Sequence, residues 1–298
     1  MSTVVTEKHF GPVWFLPGPQ KGKYPACHSV YIEGAKVLID PASDRERLKQ
    51  LRDAPGVKTV ILSHWHEDHF LHLDLFDDVP LWTSAADAGP LSDIDLFLDA
   101  YGIEGEQRDF AGKFFVEHFK FKPRKTTRIL SDGELFPWAE VTMQVLHTPG
   151  HTPGHLTFYF KELELLFLGD YDLTPFGPWY GDAYSSIEET ISSNNLLQKM
   201  PAEIWLTSHG QGIFEQNPRN EWLQYLDMIE KREAKLLKLL DEPKTLSEIA
   251  AAWIVYGEPK EPQNFYLFGE RAIMQKHLER LACKGIIAKK GHQFIKLA

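Results

Sequence analysis

His64-Trp65-His66-Glu67-Asp68-His69 follows directly on the apolar run Val57-Lys58-Thr59-Val60-Ile61-Leu62-Ser63. A β-branched run that ends in a tight polar turn reads as a strand delivering its last residues to one place. That turn holds three imidazoles and a carboxylate beside them. Neutral imidazole is the commonest metal ligand, and such a cluster is costly to fold unless a cation organises it. A strand end of this kind calls for further ligands elsewhere in the chain.

Three later strands end in the same way. Val141 to Leu146 runs into His147-Thr148-Pro149-Gly150-His151-Thr152-Pro153-Gly154-His155, Leu163 to Leu168 into Gly169-Asp170, and Ile204 to Thr207 into Ser208-His209-Gly210. Four strand ends carrying His or Asp can converge on one site held by a rigid sheet. Upstream, His28 to Ile32 and Ala35 to Ile39 flank Glu33-Gly34 as a hairpin, and Asp40-Pro41 stops its second strand. Helical spacing follows over Asp44 to Arg52 and again over Asp93 to Tyr101, with a short strand at Leu81-Trp82-Thr83 between them.

His64, His66, Asp68, His69, His151, Asp170 and His209 together resemble the metallo-β-lactamase-fold hydrolases. The motif His-x-His-x-Asp-His is present residue for residue. The Thr-Pro-Gly-His-Thr segment, the strand-end Gly-Asp and the strand-end Ser-His-Gly follow in family order, so the resemblance covers residues 25–212. It implies an α/β fold of the four-layer αββα type, two β-sheets between helices, with two metals at one edge. It also implies that His64, His66 and His151 hold the first metal, that Asp68, His69 and His209 hold the second, and that Asp170 bridges them. Nitrogen and oxygen ligands of this kind suit two divalent ions, zinc first, with iron and manganese left open. Such a pair, typically ~3.5–4 Å apart, lowers the pKa of a bridging water and polarises the scissile carbonyl or phosphoryl oxygen. Asp68 and Asp170 are then the catalytic carboxylates, Asp68 as a proton carrier.

The same resemblance places Asp40 beside the site as a residue that orients ligand histidines, and makes His151 the ligand of its segment. His155 is expected to hydrogen-bond behind the ligands, and His147 to be an ordinary strand-end histidine. Phe70-Leu71-His72-Leu73-Asp74 stands where the family commonly has glycines, so a bulkier wall is expected there. Tyr171, Trp179 and Tyr180 lie in the aromatic, turn-rich stretch Tyr171 to Asp182 and are expected to line the substrate pocket.

From Trp222 the pattern changes to helices. Asp241-Glu242-Pro243 ends the first, Thr245-Leu246-Ser247-Glu248 is a capping box opening the second, and Arg271 to Lys284 reads as a third. Ile286 to Ala288 and Phe294 to Leu297 then form a hairpin. The expected division is a metal-binding catalytic domain over 1–220 and a helical, winged-helix-like module over 221–298. Charge divides similarly: residues 231–298 contain 13 Lys+Arg and 8 Asp+Glu, a balance of +5, which leaves −15 for the rest of a chain whose net charge is −10.

A chain of 298 residues with 43% hydrophobic and 25% charged residues can bury a sizeable core. Its two cysteines, Cys27 and Cys283, exclude a disulfide framework and a thiolate zinc knuckle, and a reducing cytoplasm is expected. The segment Met1 to Lys8 lacks the pattern of a secretory leader, and no run approaches a membrane span.

The bridging Asp170 separates the chain from true β-lactamases, which lack that carboxylate, and His66 in place of a glutamate separates it from the flavodiiron branch. The leading expectation is a dinuclear metal-dependent hydrolase acting, through a metal-bridging hydroxide, on a small ester or thioester. The acidic main domain favours this, because phosphate binding usually brings a basic surface. The second reading is a phosphodiesterase or endoribonuclease, with the basic tail and the aromatic and basic run Gly112 to Arg128 as a nucleic-acid path. A third is a silent sensor or scaffold whose tail mediates dimerisation or DNA binding. A small-molecule substrate is thus expected, a homodimer is allowed, and no membrane partner is expected.

Overall fold

The computed structural model describes residues 5–138 and 140–297, so Met1 to Val4 of the N-terminal segment lie outside the described residues. The first half runs β1 (Lys8–Phe10), β2 (Val13–Leu16), the single turn α1 (Pro19–Gly22), β3 (Ser29–Ile32), β4 (Val37–Ile39), α2 (Arg45–Asp53), β5 (Thr59–Ile61) and β6 (Leu81–Ser84). It continues through α3 (Ala88–Ser92), α4 (Ile94–Tyr101), α5 (Gln107–His118) and β7 (Arg128–Leu130). The second half holds β8 (Leu135–Trp138), β9 (Val141–His147), β10 (Leu156–Phe160), β11 (Leu165–Phe167), α6 (Ile187–Leu197), β12 (Ile204–Leu206) and β13 (Ile213–Phe214). Last come α7 (Arg219–Leu239), β14 (Lys244–Thr245), α8 (Leu246–Ala250), α9 (Gln263–Cys283), β15 (Ile287–Lys290) and β16 (Gln293–Lys296).

Strands β1 to β7 lie in sequence order in one sheet, and a second sheet has the order β13-β12-β11-β10-β9-β8. The period-2 alternation of side chains separates their two faces. Val30 and Ile32 point into a core shared with Val145, Phe158 and Phe167 of the second sheet, whereas Tyr31 between them faces Leu48, Leu51 and Phe97 on the helical side. On the far side of the second sheet, Leu166, Leu168 and Trp205 pack against Leu197 of α6 and Trp222 and Tyr225 of α7. Helices therefore cover both outer faces, giving the expected αββα layers.

The direction of the strands makes the site. Strands β4 and β5 are parallel, as are β11 and β12, and β9 runs the same way as β11 because both are antiparallel to β10. Within each sheet their C-terminal ends therefore share one edge. Asp40, His64, Asp170 and His209 all follow closely from those ends.

The chain after 218 differs from expectation at the start of its last helix. Helix α9 begins at Gln263, eight residues before the expected Arg271, because its buried face includes Gly269, Glu270 and His277 and so lacks a clear apolar period. Ile229, Leu236, Ile273 and Leu278 pack in one core with Tyr180 and Ile187. The capping box at Thr245 and Glu248 forms as expected, and β14-β16-β15 make a small sheet beside the helices. Among the described residues no helix is long and apolar enough to cross a membrane.

Candidate metal centre

Three inward-facing imidazole nitrogens form a nearly equilateral triangle. His64 Nε2 is 3.0 Å from His66 Nδ1 and 3.1 Å from His151 Nε2, and the last two are 3.0 Å apart. Each ring is tied at its other nitrogen. The Ser63 hydroxyl donates to Asp40 Oδ2 at 2.7 Å, so its oxygen accepts from His64 Nδ1 at 2.9 Å. His66 Nε2 donates to Asp182 Oδ2 at 2.8 Å, and His151 Nδ1 to the carbonyl of Trp179 at 3.1 Å. With the outer nitrogens donating, the inner ones present lone pairs to one another unless a cation lies between them. Four-coordinate zinc with bonds of about 2.0–2.1 Å sets neighbouring nitrogens roughly 3.3 Å apart, close to this triangle.

A second group faces the first. His69 Nε2 and His209 Nε2 approach Asp170 Oδ1 at 2.8 and 3.2 Å, and Asp68 Oδ2 is 3.5 Å from His209 Nε2. His69 Nδ1 donates to Asp40 Oδ2 at 3.0 Å, and His209 Nδ1 donates to the Gly22 carbonyl. The other oxygen of Asp170 turns to the first group, 3.4 Å from His151 Nε2 and 3.9 Å from His64 Nε2. The ligand atoms of His64, His66, His151 and Asp170 lie within 4.8 Å of one another, as do those of Asp68, His69 and His209. His69 Nε2 and Asp170 Oδ1 are buried without a hydrogen-bond partner. Unpaired buried polar atoms of this kind fit a shared cation, so the residues present suit two metal ions.

The electrostatics set His64 and His151 apart from the other three imidazoles. Burial, with His69 and His151 close by, holds His64 well below the usual imidazole value, and burial pushes His151 down to about 4. On the other side burial is outweighed by the Asp170 carboxylate, which holds His69 well above that value and raises His209 to about 9. Asp182 likewise lifts His66 to about 9 against the effect of burial. His64 and His151 therefore offer ready lone pairs, whereas the second group draws positive charge.

The supporting residues have defined places. Asp40, fully buried and at φ +53, also accepts from the Ser63 backbone N–H at 2.8 Å, so one carboxylate reaches His69 directly and His64 through Ser63. A non-glycine residue in the left-handed region is strained, and the three hydrogen bonds hold it there. His155 accepts from the Asp170 backbone N–H at 3.2 Å through Nε2 and contacts Thr148 Oγ1 at 3.0 Å through Nδ1, which places it behind the bridging residue. Gly169, at φ +60, makes this approach sterically open: a Cβ there would lie 2.6 Å from His155 Nε2. His147 is exposed and contacts the Pro153 carbonyl at 2.8 Å.

Several sequence expectations need correction. Tyr171 and Tyr180 are fully buried and do not line an open pocket. The Tyr171 hydroxyl donates to the carbonyls of Thr148 and Pro149, and its ring packs 4.8 Å from that of His155. Tyr180 lies in the core of the C-terminal helices. Trp179 reaches the site through its carbonyl, while its indole N–H donates to Asp182 Oδ1 at 3.0 Å. The expected wall at Phe70 to Asp74 also turns away: Phe70 packs with Phe97 and Phe121, and Asp74 forms a two-pronged pair with Arg45 at 2.8 and 2.6 Å.

Two features escaped the sequence reading. Asp182 meets His66 across 116 residues, and nothing in its local pattern separates it from an ordinary turn carboxylate. Glu67, inside the motif, is buried and accepts from the hydroxyls of Tyr24 and Tyr101. Its neighbours in the motif were readable, but the two tyrosines come from distant segments.

The family model of the metallo-beta-lactamase superfamily matches residues 24–209. An atrochrysone carboxyl ACP thioesterase of Aspergillus fumigatus is 25% identical over 222 residues, 71% of this chain and 59% of that protein. The hydroxyacylglutathione hydrolase GloC of Haemophilus influenzae is 30% identical over 139 residues, 45% of this chain and 59% of its own length. The chain thus spans little more than half of either relative. Among solved structures, a metallo-beta-lactamase family protein from Thermus thermophilus is similar at TM-score 0.73 and 23% identity, covering 96% of this chain and 99% of its own. That likeness of fold extends over the C-terminal helices.

Proposed function

We propose that this chain, which belongs to the metallo-beta-lactamase superfamily, is a dinuclear metal-dependent hydrolase of small thioesters or esters. The observation that carries the reading is the division of Asp170, with Oδ1 toward His69 and His209 and Oδ2 toward His151 and His64. His64, His66 and His151 would hold one ion, Asp68, His69 and His209 the other, with Asp170 between them and zinc as the first choice. Two divalent ions in these positions would supply an activated water and an electrophile for the scissile carbonyl.

The chain's own residues prepare that chemistry. Ser63, Asp40, Asp182 and the carbonyls of Trp179 and Gly22 lock five imidazoles in the tautomer whose lone pair faces inward. Asp68, on the side of His209, is the carboxylate placed to take up and return a proton.

Three observations support a small neutral or thioester substrate over a nucleic acid. Four of the six cations of the Gly112 to Arg128 run are paired with acids: Lys122 and Arg124 with Asp77, Lys120 with Asp74, and Arg128 with Glu134. On α9, Arg280 and, just past its end, Lys284 face Glu188 of α6, and Lys276 donates to the Ala183 carbonyl, so this helix turns basic residues toward the body of the protein. The named activities of the fungal and Haemophilus relatives are both thioester hydrolyses. Assaying metal-loaded full chain on a panel of acyl thioesters and on single-stranded RNA tests the reading. Chelator-sensitive thioester turnover is expected; RNA cleavage without it would overturn the proposal.

A further inference from the structure

Residues 176–182 form a strap between the metal-facing histidines and the C-terminal helices. On its inner side the Trp179 carbonyl accepts from His151 Nδ1 and Asp182 accepts from His66 Nε2. Ser185, just beyond, donates to the His151 carbonyl at 2.6 Å. On its outer side the strap is gripped by Arg232 of α7, which is 1% exposed. Arg232 Nη2 donates to the Phe176 carbonyl at 2.7 Å, and Nη1 donates to the Pro178 carbonyl at 2.9 Å and to the Tyr180 hydroxyl at 3.0 Å. That hydroxyl in turn meets His277 Nε2 of α9 at 2.8 Å, and His277 Nδ1 contacts Glu233 at 3.3 Å. Gly177, at φ +82, lets the strap lie on α7, since a Cβ there would stand 2.5 Å from Met228 Cβ.

A buried guanidinium costs free energy unless its donors are engaged. Arg232 makes no ion pair among the described residues; its two terminal nitrogens donate to strap carbonyls and a hydroxyl, its Nε is buried without a partner, and it lies over the faces of Phe176 and Tyr180, whose ring centroids are 4.8 and 5.6 Å away. The group thus serves to fix one conformation of the strap. The second cluster has other supports: His69 is held by Asp40 and His209 by Gly22, neither of which belongs to the strap.

We propose that Arg232 is a positioning residue through which the C-terminal helices set the affinity of the first metal position, His64-His66-His151, and leave the second, Asp68-His69-His209, unaffected. The juxtaposition is one-sided: two of the three imidazoles of the first group, and none of the second, take their orientation from the strap. The inference rests on the ligand assignment proposed above.

The test isolates each position by removing one ligand of the other. In full-length His209→Ala protein the remaining zinc is held by the first group, and in His151→Ala protein by the second. Zinc affinity is measured in each background by competition with a chromophoric chelator, with and without Arg232→Met. Zinc affinity should fall roughly tenfold or more in the first background, as for loss of an outer-sphere partner, and stay within about twofold in the second. Tyr180→Phe, which removes only the gripped hydroxyl, should show the same one-sided pattern more weakly, and it carries the comparison if Arg232→Met does not fold. Equal losses in both backgrounds, or none in either, would overturn the inference. If instead the ligand assignment fails, His151→Ala and His209→Ala will not each lose one equivalent of zinc while Arg232 is intact.

Discussion

Asp170 Oδ1 lies 2.8 Å from His69 Nε2, yet both atoms are buried and neither has a hydrogen-bond partner. Two such atoms side by side are aimed at a common point, and the other oxygen of the carboxylate is aimed at a second. Asp170→Ala should therefore cost both metal positions, lowering zinc affinity by more than the roughly 10–100-fold typical of an outer partner. Chelator competition on the purified variant measures it. Retention of two tight equivalents would show that Asp170 does not bridge.

Asp182 fixes His66 with a single charged hydrogen bond of 2.8 Å. Asparagine at this position keeps an accepting oxygen but loses the charge that makes the ring a stronger donor of its lone pair. Asp182→Asn should weaken zinc binding by roughly tenfold with little change in melting temperature of the metal-free protein, and Asp182→Ala should weaken it further. Unaltered affinity in both variants would remove Asp182 from the account of the site.

Gly169→Ala forces a side chain into φ +60 and against His155 Nε2 at 2.6 Å. A destabilisation of about 1–3 kcal/mol is expected from strain and displacement of the imidazole, together with weaker metal retention. Gly34→Ala, where a Cβ meets nothing within 4 Å, is the matched control and should stay within about 0.5 kcal/mol. Thermal unfolding in chelator distinguishes the two, and equal small effects would contradict the steric argument.

Asp87 is fully buried, accepts from Thr152 Oγ1 at 2.8 Å through one oxygen and leaves the other unpaired; burial pushes its carboxyl up to about 7. A folded-state value above the ordinary 3.8 means that the fold binds this proton more tightly than the unfolded chain. The stabilisation is complete below the unfolded value and is lost as pH rises through about 7. Asp87→Asn lacks the titration, so the melting temperature of the parent protein should fall relative to the variant between about pH 4 and 7, with chelator present throughout. A difference independent of pH would show that the carboxyl stays ionised in the fold.

Motif and strand character both survive in the sequence because each ligand sits at, or a few residues beyond, the end of an apolar run. His64 after β5, Asp170 after β11 and His209 after β12 could be placed together for that reason. Pro41 marked Asp40 as a strand end, and its place beside the site came from the family resemblance. What escaped depends on contacts over long separations: Asp182 reaches His66 only because the strap folds back, and the strap folds back because α7 and α9 hold it. Tyr171 and Tyr180 misled for a related reason. An aromatic in a turn-rich stretch suggests a pocket wall, but each hydroxyl here has a buried partner, so the ring is free to enter the interior. The start of α9 was hidden because its first residues are exposed and its buried face carries Gly269, Glu270 and His277 among the apolar residues.

The stoichiometry of tightly bound metal tests the central claim most directly. Full-length protein purified without chelator, loaded with zinc and dialysed exhaustively, should retain two equivalents per chain by elemental analysis, one for each imidazole group. Retention of one equivalent or none would contradict a site in which Asp170 is shared between two ions.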